Sequence, residues 1–170
     1  MKIFIEEQKF TQSWLFIGLF IALVAVTIPI VKDWNTISQG NFGEMLNDLG
    51  GILVILFVFV LFNFFKLKTR IDEKGVYYQY LPFHFSYRFL PWNSISKCYV
   101  RNYNAIFEYG GWGLKFSFRK NKGKSFTVKG DVGLQLLLTN GKHLLIGTQK
   151  KEEIQRTLDT YQDKIGSLKS

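Results

Sequence analysis

One cysteine, Cys98, occurs in 170 residues, so no intrachain disulfide can form and a reducing compartment is compatible with the chain. Histidine is nearly as scarce. His84 and His143 stand isolated, Cys98 has no CxxC partner, and no H-E-x-x-H, G-x-S-x-G or P-loop pattern exists. Gly110, Gly111 and Gly113 do not fit G-x-G-x-x-G and do not lie between a strand and a helix, which argues against a phosphate loop. These residues yield no catalytic constellation, so the expectation is a non-catalytic chain with no metal and no cofactor. His143, alternating with Leu144, reads as an exposed strand histidine. Cys98, alternating with Val100, reads as a small buried hydrophobe. Internal repeats and low-complexity tracts are absent as well.

Acidic residues are short in one part of the chain only. From Lys66 to Ser170 there are 19 Lys and Arg against 8 Asp and Glu, whereas residues 1–65 hold 3 against 5. That first part contains two long apolar runs, Trp14 to Val31 and Leu49 to Phe65, neither with a charged side chain. Each is close to the ~20 apolar residues a helix needs to cross a ~30 Å hydrocarbon core. Trp14 and Trp34 bracket the first run, as indoles do at the headgroup layer. The second run, roughly 26 Å as a helix, is expected to gain reach from Lys66 snorkelling outward. A cleaved signal peptide fits poorly, because Glu6 and Glu7 mix with Lys2 and Lys9, the core is too long and no A-x-A site follows.

Charge sets the expected orientation. The segment between the runs holds Lys32 against Asp33, Glu44 and Asp48, while Lys66, Lys68, Arg70 and Lys74 crowd the exit of the second run. By the positive-inside rule the chain reads as a two-pass protein of the cell (inner) membrane with both termini cytoplasmic. The divisions are then 1–13 as a cytoplasmic segment, 14–31 and 49–65 as transmembrane helices, 32–48 as an external loop, and 66–170 as a cytoplasmic domain. Gly18, Ala22 and Ala25 share one helix face, expected to pack on the partner helix or on a second copy of the chain.

Past Lys66 the hydrophobic period becomes two. Phe85, Tyr87 and Phe89, and again Leu114, Phe116 and Phe118, alternate with polar residues and predict half-buried strands. Val76–Leu81, Ile95–Tyr103, Phe126–Lys129, Leu134–Thr139 and Lys142–Gly147 predict five more, with Asn140-Gly141 as a type I′ hairpin turn. Asp72–Gly75 and Asn121–Lys124 predict further turns. Ile154, Leu158, Tyr161 and Ile165 recur at helical spacing behind Thr148 as N-cap, so one amphipathic helix closes the chain. The expected fold is a two-helix transmembrane hairpin followed by a mainly-β domain of about seven antiparallel strands and one C-terminal helix.

That order of elements is the pleckstrin-homology arrangement. The stretches R-I-D-E-K-G-V-Y-Y (Arg70–Tyr78), F-L-P-W-N-S-I (Phe89–Ile95), E-Y-G-G-W-G (Glu108–Gly113), G-L-Q-L-L-L-T-N-G-K (Gly133–Lys142) and I-G-T-Q-K-K-E-E (Ile146–Glu153) resemble the membrane-anchored bacterial PH-domain proteins. The resemblance implies a PH-like interaction domain behind a membrane anchor and says more about fold than activity. Phosphoinositide recognition by the route familiar from eukaryotic PH domains is not expected, since Asp72 and Glu73 sit beside Lys74 in the first hairpin.

Three surfaces are candidates for binding. Lys66, Lys68, Arg70 and Lys74 are placed to meet an anionic inner leaflet. Arg119, Lys120, Lys122 and Lys124 form a basic tip that could rest on acidic headgroups or an acidic partner, or simply be solvated. Tyr109 and Trp112, with Arg101 and Tyr103 upstream, could line a partner groove, or mark a strand bend with Trp112 in the core. Trp92 after Pro91 reads as a structural corner. The expected partners are membrane lipids and a protein, engaged by strand addition or against the terminal helix. Membrane tethering argues against nucleic acid. The alternative is an accessory subunit of a membrane transporter or envelope-stress system, acting through the apolar helices.

Overall fold

The computed structural model describes residues 2–32, 42–116 and 123–166. The chain divides into two compact units, one from Met1–Phe10 with Phe65–Ser170 and the other from Thr11–Phe64.

The first unit is built on two sheets. Strands β1 (Phe4–Lys9), β2 (Lys66–Asp72), β3 (Gly75–Leu81) and β4 (Arg88–Pro91) lie in that order, all antiparallel. Strands β5 (Ile95–Asn102), β6 (Gly113–Phe116), β7 (Lys124–Thr127), β8 (Val132–Leu138) and β9 (His143–Gly147) form a second sheet ordered β5-β8-β9-β7-β6. Within it β7 runs parallel to β9, so this sheet is no simple meander. The larger of two buried clusters draws Phe4, Leu67, Ile71, Val76 and Tyr80 from the first sheet and Phe126, Leu134, Leu136 and Ile146 from the second. The helix here termed α4 (Lys151–Thr160) adds Ile154 and Leu158. Trp92 fulfils the corner role, buried with its indole N–H donated to Asp72 O at 3.1 Å and its ring 5.6 Å from Tyr161.

Strand β1 is the element the sequence hides. It pairs with β2 from Phe4↔Ile71 to Lys9↔Lys66, so two neighbouring strands of one sheet flank the whole of residues 11–64. Its inward face is Phe4, Glu6 and Gln8, while Ile3 and Ile5 face out. Burying polar groups is tolerated only where they find partners. Glu6 accepts the Thr148 hydroxyl at 2.6 Å and the Gln149 N–H at 2.8 Å, and Gln8 Nε2 donates to Gly147 O at 2.7 Å. Thr148 therefore does not cap α4 with its own side chain. Lys150 occupies the cap position, and Glu152 and Glu153 supply negative charge to the first turn.

The second unit holds α1 (Ser13–Lys32) and α2 (Phe42–Phe64). The helices pack through Phe16 on Phe59, with ring centroids 5.5 Å apart, and through Val26, whose Cγ1 lies 3.3 Å from where a Cβ on Gly51 would stand. A five-residue helix, α3 (Ala105–Tyr109), belongs to the first unit.

The expected fold class is overturned. The described residues contain nine strands in sheets of four and five rather than about seven, and the helices interrupt the β unit instead of preceding it. Among the described residues only α1 is long and apolar enough to cross a membrane; the apolar part of α2, Leu49–Phe64, is roughly 24 Å long against ~30 Å of hydrocarbon. Lys66 cannot extend it, being the first residue of β2 with its ammonium 3.9 Å from Glu7. A two-pass topology is accordingly unsupported. Smaller corrections follow. The Phe85–Phe89 alternation is not a half-buried strand, since β4 begins at Arg88 and Phe85 is 91% exposed. Gly141 N–H closes on Leu138 O and Leu138 N–H on Lys142 O, both 2.9 Å, so Thr139 and Asn140 hold the corner and Gly141 follows at φ 78. The hairpin loop is thus one residue longer than a type I′ turn. Phe118 and residues 121–122 of the expected turn lie outside the described residues.

Candidate anion-binding pocket

A cavity of about 460 Å³ opens where β3 and β4 of the first sheet meet the β6, β7 and β8–β9 edges of the second. Its apolar wall comes from Leu90, Phe116, Leu138 and Leu144, and its polar groups are Tyr78, Lys124, Lys142 and His143. No carboxylate lines it among the described residues. The parallel pairing of β7 on β9, Lys124↔Leu144, brings Lys124 beside the hairpin. Gly123 permits that approach: at φ 61, a Cβ there would stand 1.9 Å from His143 O. The Lys124 ammonium lies 5.0 Å from the centroid of the Phe116 ring, a cation–π contact that holds it at the wall. Neither Lys124 nor Lys142 has an acidic partner among the described residues.

Neighbouring groups report the sign of the local field. Tyr78 packs against Phe126 at 5.0 Å and His84 at 5.7 Å, and burial raises its hydroxyl pKa against the opposing pull of Arg88. Burial lowers the His84 pKa from its usual 6.5, and the charges of Arg88 and Lys124 lower it further. The arrangement is a mostly apolar concavity with a few convergent cationic and hydroxyl donors, in the size range that takes small ligands. Chemically it suits an anionic group carried on an apolar or neutral body.

The residues singled out from sequence fall elsewhere, with one exception. Lys66 and Lys68 project from the outer face of β2 toward Glu7 at 3.9 and 3.5 Å, and Arg70 pairs with Asp72 at 3.0 Å while covering Tyr77. Three of the four exit cations thus have an acid from their own sheet. Lys74 occupies the Asp72–Gly75 turn, its N–H donated to Asp72 Oδ1 at 2.9 Å. Arg119, Lys120 and Lys122 lie outside the described residues; Lys124 is the exception, in the pocket wall.

Arg101, Tyr103, Tyr109 and Trp112 do gather, but not around an open groove. The Arg101 guanidinium donates to Gln135, to the Asn102 carbonyl, to both Glu108 oxygens and to Tyr109 OH, at 3.0–3.3 Å. All five of its N–H groups are engaged. Tyr103, Ala105, Tyr109 and Leu145 form a buried cluster with Trp112 against it, and burial pushes the Tyr103 hydroxyl up to about 12. The glycine-rich stretch after it is a helix stop: Gly110 N–H bonds Ile106 O and Gly111 N–H bonds Ala105 O, with Gly110 at φ 74. Trp112 Nε1 donates to Gly130 O at 2.9 Å. Burial likewise raises the Cys98 thiol to about 12.

Gly18, Ala22 and Ala25 are exposed on α1, and a Cβ on Gly18 would meet nothing within 4 Å. The expectation named the partner helix or a second copy of the chain; within the chain the described contacts to the second helix come from larger side chains, Phe16 and Val26, and leave this face exposed.

Sequence reasoning passed over Tyr78, Lys142 and His143. The only local indication was the Asn140-Gly141 hairpin, which places Lys142 and His143 directly after a sharp turn. No family model matches this chain, and no curated protein matches it. The likeness to the membrane-anchored PH-domain proteins rests on the quoted stretches alone.

Proposed function

We propose that the chain is a non-catalytic, membrane-tethered binding module whose β unit receives an anionic group of the membrane surface, such as a lipid headgroup phosphate. The observation that carries this reading is the pocket between the sheets, with Lys124, Lys142, His143 and Tyr78 set in an apolar wall that has no carboxylate among the described residues. Tethering is supported by α1, which is long and apolar enough to cross a bilayer. Lys9 and Lys66 are register partners on either side of the helical segment, so both connections to that segment leave the same end of the first sheet. The excess of Lys and Arg after residue 65 favours the cytoplasmic face for the β unit.

Native mass spectrometry of the full chain, released from mixed micelles of phosphatidylglycerol and phosphatidylcholine, tests the reading. Substituting Lys124→Gln together with Lys142→Gln is expected to lower the retained phosphatidylglycerol-to-phosphatidylcholine ratio about thirtyfold, at ~1 kcal/mol per charge. An unchanged ratio would sink it. The exposed Gly18, Ala22 and Ala25 face favours a second reading, contact of α1 with another membrane helix, from a second copy or a transporter or envelope-stress protein.

A further inference from the structure

The loop between β3 and β4 is held from beneath and aromatic on top. Gln79, buried on β3, donates its amide N–H groups to the carbonyls of His84 at 3.1 Å and Phe85 at 3.0 Å, and His84 N–H bonds Tyr80 O at 2.8 Å. A loop fixed in this way could fold its aromatic rings inward. It does the reverse: Phe85 is 91% exposed, Phe83 55% and Tyr87 48%. No Asp or Glu occurs from Leu81 to Pro91, and Arg88 follows directly.

Its position is as telling as its composition. Lys9, Lys66 and Leu81 are successive register neighbours, so β1 ends, β2 begins and the loop departs at one end of the first sheet. Phe83 lies 5.8 Å from Phe65, which itself stands edge-on to Phe10 at 5.8 Å. Phe10 and Phe65 are where the chain leaves the β unit and where it re-enters; α1 starts at Ser13 and α2 ends at Phe64. The aromatic loop and both connections to the apolar helices therefore share one end of the β unit. Lys9 and Lys66 flank that end, each with its ammonium 3.9 Å from Glu7.

We infer that this loop is a second membrane contact, in which Phe83, Phe85 and Tyr87 enter the headgroup–acyl boundary with Arg88 at the level of the phosphates. Aromatic rings favour that layer, and a neighbouring cation adds attraction to anionic lipid. A lipid surface is the occupant because the patch is continuous with the two points where the chain passes into apolar helices. The inference rests on the membrane reading above and goes beyond it: the β unit is docked on lipid by its own loop as well as tethered through its chain connections.

The test uses the full chain in nanodiscs of phosphatidylglycerol and phosphatidylcholine, in a Cys98→Ala background. Single cysteines are introduced by Phe85→Cys, by Gln155→Cys on the exposed side of α4, and by Phe20→Cys on α1, each carrying an environment-sensitive fluorophore. Insertion by the ~5–10 Å typical of interfacial contacts predicts that a lipid-borne nitroxide quenches the Phe85 probe about twofold while iodide barely touches it. The Gln155 probe is expected to show the opposite. If the Phe20 probe is quenched from lipid but the Phe85 probe behaves like the Gln155 probe, the loop inference is overturned and the tethering reading stands. If the Phe20 probe also reports water, both are overturned. Phe85 has almost no packing to lose, so the substitution itself leaves the fold intact.

Discussion

Removing the Glu6 carboxylate should loosen the N-terminal strand from the rest of the β unit by a measurable amount. Glu6 is 6% exposed and Thr148 2%, and the carboxylate takes two donors from the loop ahead of α4, at 2.6 and 2.8 Å. A hydrogen bond to a charged group contributes ~1.5–3 kcal/mol, and a buried donor left without its acceptor costs about the same again. Gln149 is exposed, so water can replace the acceptor of its N–H; the Thr148 hydroxyl has no such recourse. Glu6→Ala is therefore expected to cost about 2–4 kcal/mol, or on the order of 10 °C in the melting temperature of a unit this size. Thr148→Val removes one of the two donors and should cost about 1.5–3 kcal/mol. Because the two residues share a bond, the double variant should fall short of additivity by about 1–2 kcal/mol. Urea unfolding of the full chain in detergent, followed by fluorescence of the buried Trp92 and its fellow tryptophans, gives the four free energies of the cycle. Strict additivity, or a Glu6→Ala effect under about 0.5 kcal/mol, would refute the clamp and with it the docking of β1.

Two other expectations are independent of that one. Gly123→Ala puts a side chain at φ 61 and against the His143 carbonyl, so it should cost about 2–4 kcal/mol and lower the phosphatidylglycerol preference, whereas Gly110→Ala, with open space around it, should cost only about 1 kcal/mol. Equal urea midpoints for the two would contradict the close approach of β7 to the hairpin. For His84, burial, Arg88 and Lys124 hold the folded pKa below 6.5, so the unfolded chain takes up its proton first as pH falls. That contribution to stability is whole above pH 6.5 and declines below it, and His84→Gln should flatten the slope of stability between about pH 5 and pH 7. A slope unchanged in the variant would show that other groups set it.

The strands that could be read from sequence are those whose hydropathy agrees with their burial. In β8 and β9 the runs Leu134–Leu136 and Leu144–Ile146 are buried and bounded by a turn, and α4 presents Ile154 and Leu158 at helical spacing. Strand β1 inverts the rule: Glu6 and Gln8 point in and Ile5 points out, because the hydrogen-bond partners that make this tolerable come from residues 147–149. Strand β2 was concealed differently. Its outward Lys66, Lys68 and Arg70 look like a topological charge cluster, while Leu67, Thr69 and Ile71 between them are the buried face. Helix α3 is too short for any period to register, and its capping by Asn104, which accepts from Ile106 and Phe107 N–H, depends on two positions only. The pocket was illegible for a related reason. It is assembled by a direct parallel pairing of β7 with β9 that skips β8 in the sequence, and no local pattern encodes such a partner.

The separation of β1 from β2 also imposes an order of events during synthesis. Lys9 leaves the ribosome before either apolar helix exists, and its partner Lys66 follows only after both, roughly 3–11 s later at ~5–20 residues per second. Until then β1 is a strand without a neighbour, with Phe4 uncovered and Glu6 lacking the donors of Thr148 and Gln149, which arrive later still. The sheet can close only if the helical segment delivers Phe65 to the side on which Phe10 was left. A chain whose helices went astray would leave β1 unpaired, so closure of the first sheet depends on the placement of everything between.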